Sequence, residues 1–226
     1  MRPRGFTDGW RGSIIRVYQR KPTIMTNYKA ALQTSTPVAF GGFSSLHIID
    51  GKAVKVLDDG CYSDTLQECL IQKQAADAGL APQVYSIFEM ADDVVVVMDA
   101  IDTDSFYQAD AMDDVAPTLL GELDDADMIK GVKLYAKLLL AGIVHADFHT
   151  GNWFMNDNGE AIAIDFGIAS TLGTASDTHL KRAVQFLLPC LNRMGEDLLA
   201  DDLLTAYGVG ADAIRESLEF VAFEIA

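Results

Sequence analysis

The stretch HADFHTGNWFMNDNGEAIAIDFG, residues 145–167, sets short apolar runs among two histidines, three aspartates and several turn-forming residues. The runs WFMN (153–156) and AIAID (161–165) have strand length, and the residues DNGE (157–160) between them are typical of a tight turn. The stretch therefore predicts a β-hairpin, and a hairpin brings its two ends together.

Three oxygen-bearing side chains flank this predicted hairpin. Asp147 and Asn152 precede it and Asp165 ends it, so we expect them to converge. Two carboxylates and a carboxamide are hard oxygen ligands that suit Mg²⁺, a metal that usually also takes phosphate oxygens. Phosphoryl transfer needs metal-neutralised phosphates and a carboxylate that orients the attacking hydroxyl. The pattern therefore indicates a site for phosphate chemistry.

The 226 residues are enough for one or two domains with an ample apolar core. No apolar run reaches the roughly 18 residues that a membrane span needs, and the N-terminus lacks the apolar core of a secretory signal. The three cysteines, Cys61, Cys69 and Cys190, have no metal-binding spacing and suit a reducing compartment. We therefore expect a cytoplasmic protein that does not enter a membrane, located in the host cytoplasm if a phage or pathogen encodes it.

The net charge of −16 is unevenly distributed. Residues 1–29 carry seven basic residues and one acidic residue, a net +6, which leaves 10 basic and 32 acidic residues, a net −22, for the rest. Because an acidic body repels a phosphate backbone, we expect no nucleic-acid binding by the main domain. The basic arm, residues 1–35, is expected to bind a partner, to fold against the acidic body or to act as a transit sequence.

Short β-branched runs dominate residues 36–101 and are separated by turn residues, as in an antiparallel sheet. The runs are TPVAF (36–40), LHIID (46–50), KAVKVL (52–57), QVYSIFEM (83–90) and DVVVVMDAI (93–101). One interruption, residues 63–80, has helical character; Ser63 or Asp64 is expected to cap this helix and Gly79 to end it.

Helical patterns prevail from about residue 116 onward. They cover residues 125–142, 177–191, 195–208 and 211–225. A small sheet with one helix, followed by a helical half, predicts an α+β fold of two lobes with a hinge near residues 99–104. Clefts between such lobes are common ligand sites.

The segments HADFHTGN (145–152) and IDFG (164–167) resemble the H-x-D-x-x-x-x-N catalytic loop and the D-F-G motif of the protein-kinase-like superfamily. The separation of 18 residues between Asp147 and Asp165 also fits that superfamily. The resemblance implies a two-lobed kinase-like fold, with an antiparallel N-lobe sheet, one N-lobe helix and a mostly helical C-lobe.

The resemblance also implies a role for each polar residue of the loop. Asp147 would be the catalytic base, and Asn152 and Asp165 would hold Mg²⁺. His145 would brace the loop, and ATP would donate the phosphoryl group.

The upstream strands carry a second set of matching residues. KAVKVL places Lys55 where the superfamily's V-A-I-K lysine holds the α- and β-phosphates of ATP. AFGGFSS (39–45) resembles a degenerate glycine-rich loop, in which glycines permit close backbone approach and amides cover phosphates. The candidate nucleotide-binding residues of this loop are Gly41, Gly42, Ser44 and Ser45.

The resemblance extends to the partner of the lysine and to the adenine pocket. Glu68 is the only glutamate in the predicted helix 63–80, so it is the candidate partner of Lys55; the alternative is a solvated glutamate. Met98 would back the adenine pocket, and backbone groups around Asp99 and Ile101 would bind the adenine edge.

Several features depart from ordinary protein kinases. Ala146 replaces the arginine before the catalytic aspartate, which argues against control by a phosphorylated activation loop. His149, a candidate contact of the transferred phosphate, replaces a lysine; this histidine is common in aminoglycoside- and choline-kinase-like enzymes and in UbiB-like proteins. Only residues 168–176 remain as an activation segment, without an A-P-E motif. This trimmed plan is similar to small atypical kinases of the RIO type, minimal bacterial effector kinases and the early protein kinases of podophages.

Three other interpretations stay open. His145, Asp147 and His149 form a His-x-Asp-x-His pattern that can bind zinc in a metal hydrolase. A pseudokinase would keep the fold as a nucleotide-binding interaction module without turnover. A small-molecule kinase would want an acidic pocket for an aminated substrate, which the aspartate-rich residues 102–114 would supply unless they form a solvated loop.

The favoured interpretation is one kinase domain with a basic arm (1–35), an N-lobe (36–101) and a C-lobe (102–226). We expect an atypical Ser/Thr protein kinase that uses ATP and Mg²⁺ to phosphorylate a protein hydroxyl. The acidic body favours a basic protein substrate or regulatory partner. Autophosphorylation is expected on the serines and threonines of the arm.

Overall fold

A computed structural model of the chain describes residues 22–108, 123 and 125–193. These residues form two compact units. The first unit contains the described chain up to Gln67 together with Gln83–Ala100, and the second contains Glu68–Pro82 together with the described chain from Ile101 onward. Most of the basic arm, the end of the aspartate-rich run and the predicted helices 195–208 and 211–225 lie outside the described residues.

The first unit is built on a five-stranded antiparallel sheet with the strand order β1-β2-β3-β5-β4. Its strands are β1 (Ala39–Gly41), β2 (Ser44–Ile49), β3 (Lys52–Leu57), β4 (Val84–Met90) and β5 (Asp93–Asp99). Between β2 and β3, Asp50 and Gly51 have positive φ angles of 52° and 72°, as a two-residue hairpin turn of the primed type requires. The antiparallel sheet predicted from the sequence is confirmed.

Alternate side chains of this sheet form an apolar core. The buried members of that core are Ile49, Val54, Val56, Phe88, Val95 and Val97. Helix α1 (Pro22–Leu32) packs against them through Tyr28, Ala31 and Leu32. These three side chains are partly buried against the sheet, so the end of the arm next to the sheet is part of the folded first unit.

Helix α2 (Tyr62–Asp77) begins slightly before the predicted start. The backbone N–H and the hydroxyl of Thr65 both donate to the carbonyl of Cys61, at 3.0 and 3.1 Å. Ser63 and Asp64 therefore lie within the first turn and not at the cap. An acidic side chain is favourable in the first turn as well as at the cap, because in both positions it lies near the positive end of the helix dipole. The residue types alone therefore do not show which residue is the cap.

The C-terminal end of α2 belongs to the second unit. Gly79, with a φ of 74°, follows the helix, and the N–H of Leu80 donates to Ala75 at 2.9 Å, so the helix ends where the glycine predicts. The side chain of Gln74 donates from Nε2 to the carbonyl of Ala141 at 2.6 Å. These contacts attach the last turns of α2 to the helical unit.

The second unit combines helices with two pairs of short strands. Its elements are α3 (Asp125–Leu140), β6 (Ile143–Val144), β7 (Trp153–Met155), β8 (Ala161–Ala163), β9 (Ser170–Thr171) and α4 (Asp177–Arg193). Strand β6 pairs with β9 and β7 pairs with β8, both antiparallel. The α+β class predicted from the sequence is confirmed. None of the described helices is long and apolar enough to cross a membrane.

The segment between the D-F-G sequence and α4, residues 168–176, is short and internally bonded. The hydroxyls of Thr171 and Thr174 form a hydrogen bond of 2.7 Å. The hydroxyl of Ser176 accepts the backbone N–H of His179 at 3.3 Å and so caps the N-terminus of α4. The reduced activation segment expected from the sequence is present.

Candidate active site

The predicted hairpin forms and closes next to the catalytic-loop sequence. Its tight turn is held by Asn156, whose side-chain oxygen accepts the backbone N–H groups of Asn158 and Glu160 at 3.0 and 2.9 Å. At its open end the N–H of Ile164 donates to the carbonyl of Asn152 at 2.9 Å. Asn152 and the residue that precedes Asp165 are therefore neighbours across the hairpin.

The side chain of Asn152 is bonded to Asp147. Its Nδ2 donates to the backbone carbonyl of Asp147 at 2.9 Å and to the carboxylate Oδ2 at 3.3 Å. Asn152 is 7% exposed, whereas the side chain of Asp147 is 46% exposed. Since Nδ2 is used by Asp147, Oδ1 is the carboxamide atom that suits a hard cation, so the donor set fits Mg²⁺.

His145 is completely buried beneath this loop. Its Nε2 lies 2.8 Å from the carbonyl of Ile164, so Nε2 carries the proton and donates it. Burial lowers the pKa of His145; the bond to Ile164 and the nearby charges of Asp165 and Asp147 raise it only in part. His145 is thus a neutral ring that connects the loop to the hairpin, and both aspartates lie near it.

An aromatic stack fixes the loop from below. Phe148, between Asp147 and His149 in the sequence, is fully buried and stacks on Tyr135 of α3 at a centroid distance of 4.6 Å. Its ring is also nearly parallel to that of Trp153 of β7, at a centroid distance of 6.0 Å. Aromatic pairs of this kind add about 0.5–1.5 kcal/mol beyond their buried area. The stack holds the backbone of Asp147 against the core.

His149 is oriented by the backbone of the loop. Its Nδ1 accepts the N–H of Gly151 at 3.1 Å, so the proton of the neutral ring resides on Nε2. That Nε2 lies 3.8 Å from the carboxylate of Asp147, which is longer than a hydrogen bond. The ring therefore presents an N–H donor beside the candidate base.

Two carboxylates, those of Asp165 and Glu68, lie beside Gly167 of the D-F-G sequence. Asp165 is exposed and adopts a left-handed backbone with a φ of 58°. A Cβ added to Gly167 would lie 3.5 Å from Oδ1 of Asp165 and 3.8 Å from Oε2 of Glu68. Glu68 therefore faces the D-F-G segment within the second unit. The left-handed conformation of Asp165 is uncommon for a non-glycine residue, although aspartate adopts it more readily than most.

A family model of the ABC1 atypical kinase-like domain matches residues 68–193, which is more than half of the chain. The chain belongs to this family. No curated protein sequence gives a significant match. The matched region spans the end of α2, the catalytic-loop sequence and the D-F-G segment, so membership confirms the kinase-like superfamily predicted from HADFHTGN and IDFG.

The candidate lysine precedes the region that the ABC1 model matches, which begins at Glu68. Lys55 lies on β3, paired with Leu46 of β2 on one side and Val96 of β5 on the other. It is half-buried in the sheet of the first unit, as is Met98 near the end of β5. The assignment of Lys55 to ATP phosphates stays a prediction.

The glycine turn, which precedes the region matched by the ABC1 model, joins β1 and β2. A Cβ on Gly42 would meet nothing within 4 Å, whereas one on Gly41 would lie 2.8 Å from Oγ of Ser44. Ser45 donates or accepts a hydrogen bond with Nε2 of His47 at 3.3 Å. Packing against the described residues therefore does not require glycine at position 42, and the assignment of this turn to the nucleotide site stays a prediction.

The residues predicted to contact adenine, Asp99 and Ile101, lie at and just after the end of β5. The backbone N–H of Asp99 donates to the carbonyl of Gln83 at 3.0 Å, so this N–H is already used within the sheet. Its carboxylate accepts Lys52 at 2.8 Å and the Tyr85 hydroxyl at 2.7 Å. Burial raises the pKa of Asp99, but these two bonds outweigh burial and lower it overall. Ile101 follows at the start of the second unit and is half-buried.

The zinc interpretation does not agree with the geometry. His145 is buried and uses Nε2 to donate to Ile164, so this nitrogen is not a metal ligand. His149 uses Nδ1 to accept from Gly151. Within residues 22–108, 123 and 125–193, no three His, Cys, Asp or Glu side chains are grouped as a metal site.

Two kinds of functional contact were not predicted from the sequence. The first is the buried stack of Phe148 with Tyr135 and Trp153. The signal in the sequence is the alternation of polar and apolar residues in HADFH (145–149), which favours an inward-facing Phe148. The second is a bond from Gln108 to the loop carbonyl of Gly151, for which the sequence contains no indication.

Proposed function

We propose that this ABC1 kinase-like domain is an ATP-dependent phosphotransferase that transfers the γ-phosphoryl group of ATP to a Ser or Thr hydroxyl of a protein. The observation that carries the proposal is the bond of the Asn152 carboxamide to Asp147, at the end of a hairpin that continues into Asp165. Phosphoryl transfer requires an accessible carboxylate for the attacking hydroxyl and oxygen ligands for a cation. The half-exposed carboxylate of Asp147 suits the first role, and Asn152 and Asp165 suit the second.

Asp147 receives the hydroxyl of the substrate. Its carboxylate accepts the hydroxyl hydrogen bond and orients the oxygen toward the γ-phosphorus. As the new O–P bond forms and the bond to the leaving ADP breaks, the hydroxyl proton passes to this carboxylate. The stack of Phe148 on Tyr135 keeps the backbone of Asp147 in place during this step.

Oδ1 of Asn152 and the carboxylate of Asp165 would hold Mg²⁺. Bound there, Mg²⁺ neutralises the charge on the phosphate oxygens. Lys55 would hold the α- and β-phosphates, with Glu68 as its partner. The turn at Gly41, Gly42, Ser44 and Ser45 would cover the phosphates, while Met98 and the backbone at Asp99 and Ile101 would receive the adenine.

His149 is proposed to donate a hydrogen bond to the transferred phosphate. Because Nδ1 accepts from Gly151, the neutral ring carries its proton on Nε2, on the side of Asp147. The donor is therefore present without a positive charge on the ring. This supports a role for His149 that does not depend on the imidazolium form.

A protein substrate is favoured over an aminated small molecule. Asp102, the first acid of the aspartate-rich run, accepts the backbone N–H of Asp104 at 3.1 Å and the Ser105 hydroxyl at 2.7 Å, which lowers its pKa. This carboxylate thus stabilises its own turn, which supports the solvated-loop interpretation of the start of the run. The net charge of −16 favours basic partners and basic phosphorylation sites. The serines and threonines of the arm are proposed autophosphorylation sites.

Radiolabelled ATP with Mg²⁺, the purified full chain and a cell lysate test the proposal. We expect label on discrete proteins with the wild type and its loss with Asp165→Asn. Asp157→Asn is the matched control, because it makes the same change at an exposed turn of the same hairpin. Label found only in small molecules would select the small-molecule kinase. Equal nucleotide binding by wild type and Asp165→Asn, without turnover by either, would select the pseudokinase.

A further inference from the structure

A short segment of the second unit lies along the hairpin strand that follows the catalytic loop. The backbone N–H of Tyr107 donates to Met155 at 2.8 Å, and the N–H of Met155 donates back to Tyr107 at 2.9 Å. The Tyr107 hydroxyl also accepts Lys130 of α3 at 3.1 Å. These bonds determine where the next residue, Gln108, lies.

The side chain of Gln108 bonds to the catalytic-loop backbone. Its Nε2 donates to the carbonyl of Gly151 at 2.7 Å, in a half-buried position. The N–H of the same peptide unit, that of Asn152, donates to the carbonyl of His149 at 2.9 Å. The peptide plane between Gly151 and Asn152 is therefore held at both its oxygen and its nitrogen.

This peptide plane carries the candidate cation ligand. If this peptide plane rotated, the Cα of Asn152 would move. The Asn152 carboxamide would then shift away from Asp147, to which it donates hydrogen bonds of 2.9 and 3.3 Å. Displacements of about 1 Å at such a site are enough to reduce activity strongly. The bond from Gln108 opposes this rotation from outside the loop.

We infer that Gln108 is a positioning residue: it holds the Gly151–Asn152 peptide so that Oδ1 of Asn152 stays oriented for the cation of Mg²⁺–ATP. The inference rests on the proposed function for the identity of the ligand. The positioning itself depends only on contacts within the second unit. Gln108 lies 43 residues before Gly151 in the sequence and donates a hydrogen bond to its carbonyl.

The first measurement is hydrogen–deuterium exchange of the loop amides in the protein without nucleotide. Gln108→Met keeps the length of the side chain and removes the donor. A net hydrogen bond corresponds to roughly a 2- to 12-fold change in an equilibrium, so we expect the amides of Gly151 and Asn152 to exchange faster by such a factor. Gln108→Lys, which restores a donor, is expected to return exchange toward the wild-type rate. Gln74→Met is the matched control, because it removes a glutamine bond to the carbonyl of Ala141 in the same unit.

The second measurement is the Mg²⁺ concentration that gives half-maximal binding of a fluorescent ATP analogue. We expect this concentration to rise by roughly 2- to 12-fold in Gln108→Met and to stay at the wild-type value in Gln74→Met. Unchanged loop exchange in Gln108→Met would overturn the positioning role. Faster exchange with an unchanged Mg²⁺ requirement would overturn the link to the cation. A wild type that binds no nucleotide would instead overturn the proposed function, while the exchange result would still decide the positioning role.

Discussion

Acidification is expected to destabilise the second unit through His145. The ring is completely buried, packs edge-on against Phe148 at 5.5 Å and lies 4.9 Å from Phe166. Its Nε2–H already donates to Ile164, and its Nδ1 has no hydrogen-bond partner among the described residues. A second proton on Nδ1 would therefore place a charge in an apolar site without an acceptor.

The sign and the size of the effect follow from linkage. Burial lowers the pKa of His145 below its ordinary value of 6.5, so below pH 6.5 the unfolded chain binds more protons than the folded one. The stabilisation is fully present above pH 6.5 and is lost as the pH falls toward the pKa of the folded state. One proton limits the slope to about 1.4 kcal/mol of unfolding free energy per pH unit.

Urea unfolding at several pH values measures this slope. In a Trp10→Phe background the fluorescence of Trp153, which is buried in the second unit, reports unfolding. His145→Gln retains a donor for Ile164 and cannot take up a proton. Because the unfolded histidine is only half protonated at pH 6.5, we expect the wild type to lose up to about 1 kcal/mol more than His145→Gln between pH 6.5 and 5.5. Equal losses in the two proteins would refute the reasoning.

Three further substitutions test the site and its support. Gly42→Ala adds only a Cβ, and nothing lies within 4 Å of that atom, so the melting temperature is expected to stay unchanged. The KM for ATP is expected to rise about 10-fold, or ~1.4 kcal/mol, and an unchanged KM would remove the turn from the nucleotide site. Phe148→Ala is expected to lower the free energy of unfolding in urea by about 3–5 kcal/mol, because the ring is fully buried in the aromatic stack. A loss below about 1 kcal/mol would contradict this packing. Asp77→Asn breaks the exposed 2.7 Å pair with Lys73 and is expected to change stability by at most about 1 kcal/mol, so a larger loss would show that this surface pair is underestimated.

Local patterns predicted much of the fold. The antiparallel sheet follows from β-branched runs separated by turns such as Asp50-Gly51, and the hairpin follows from two apolar runs around an Asn-Gly turn. The glycine at position 79 ends α2 as expected, but the hydroxyl and acidic residues near its start did not identify the cap. A cap depends on the φ and ψ of one residue, which several neighbouring polar residues satisfy equally well in sequence.

The sequence by itself determined the ligand types and the order of the candidate site: Asp147, then Asn152, then Asp165 after a hairpin. Only the tertiary structure decided how these groups are held. The proton of His149 is placed by a loop amide, and the peptide before Asn152 is held by Gln108. The physical reason is the distance along the chain between the interacting residues. Turns and strand periodicity depend on residues that are close in the sequence. The hydrogen bond between Gln108 and Gly151 joins residues 43 positions apart, so it depends on how the chain folds between them.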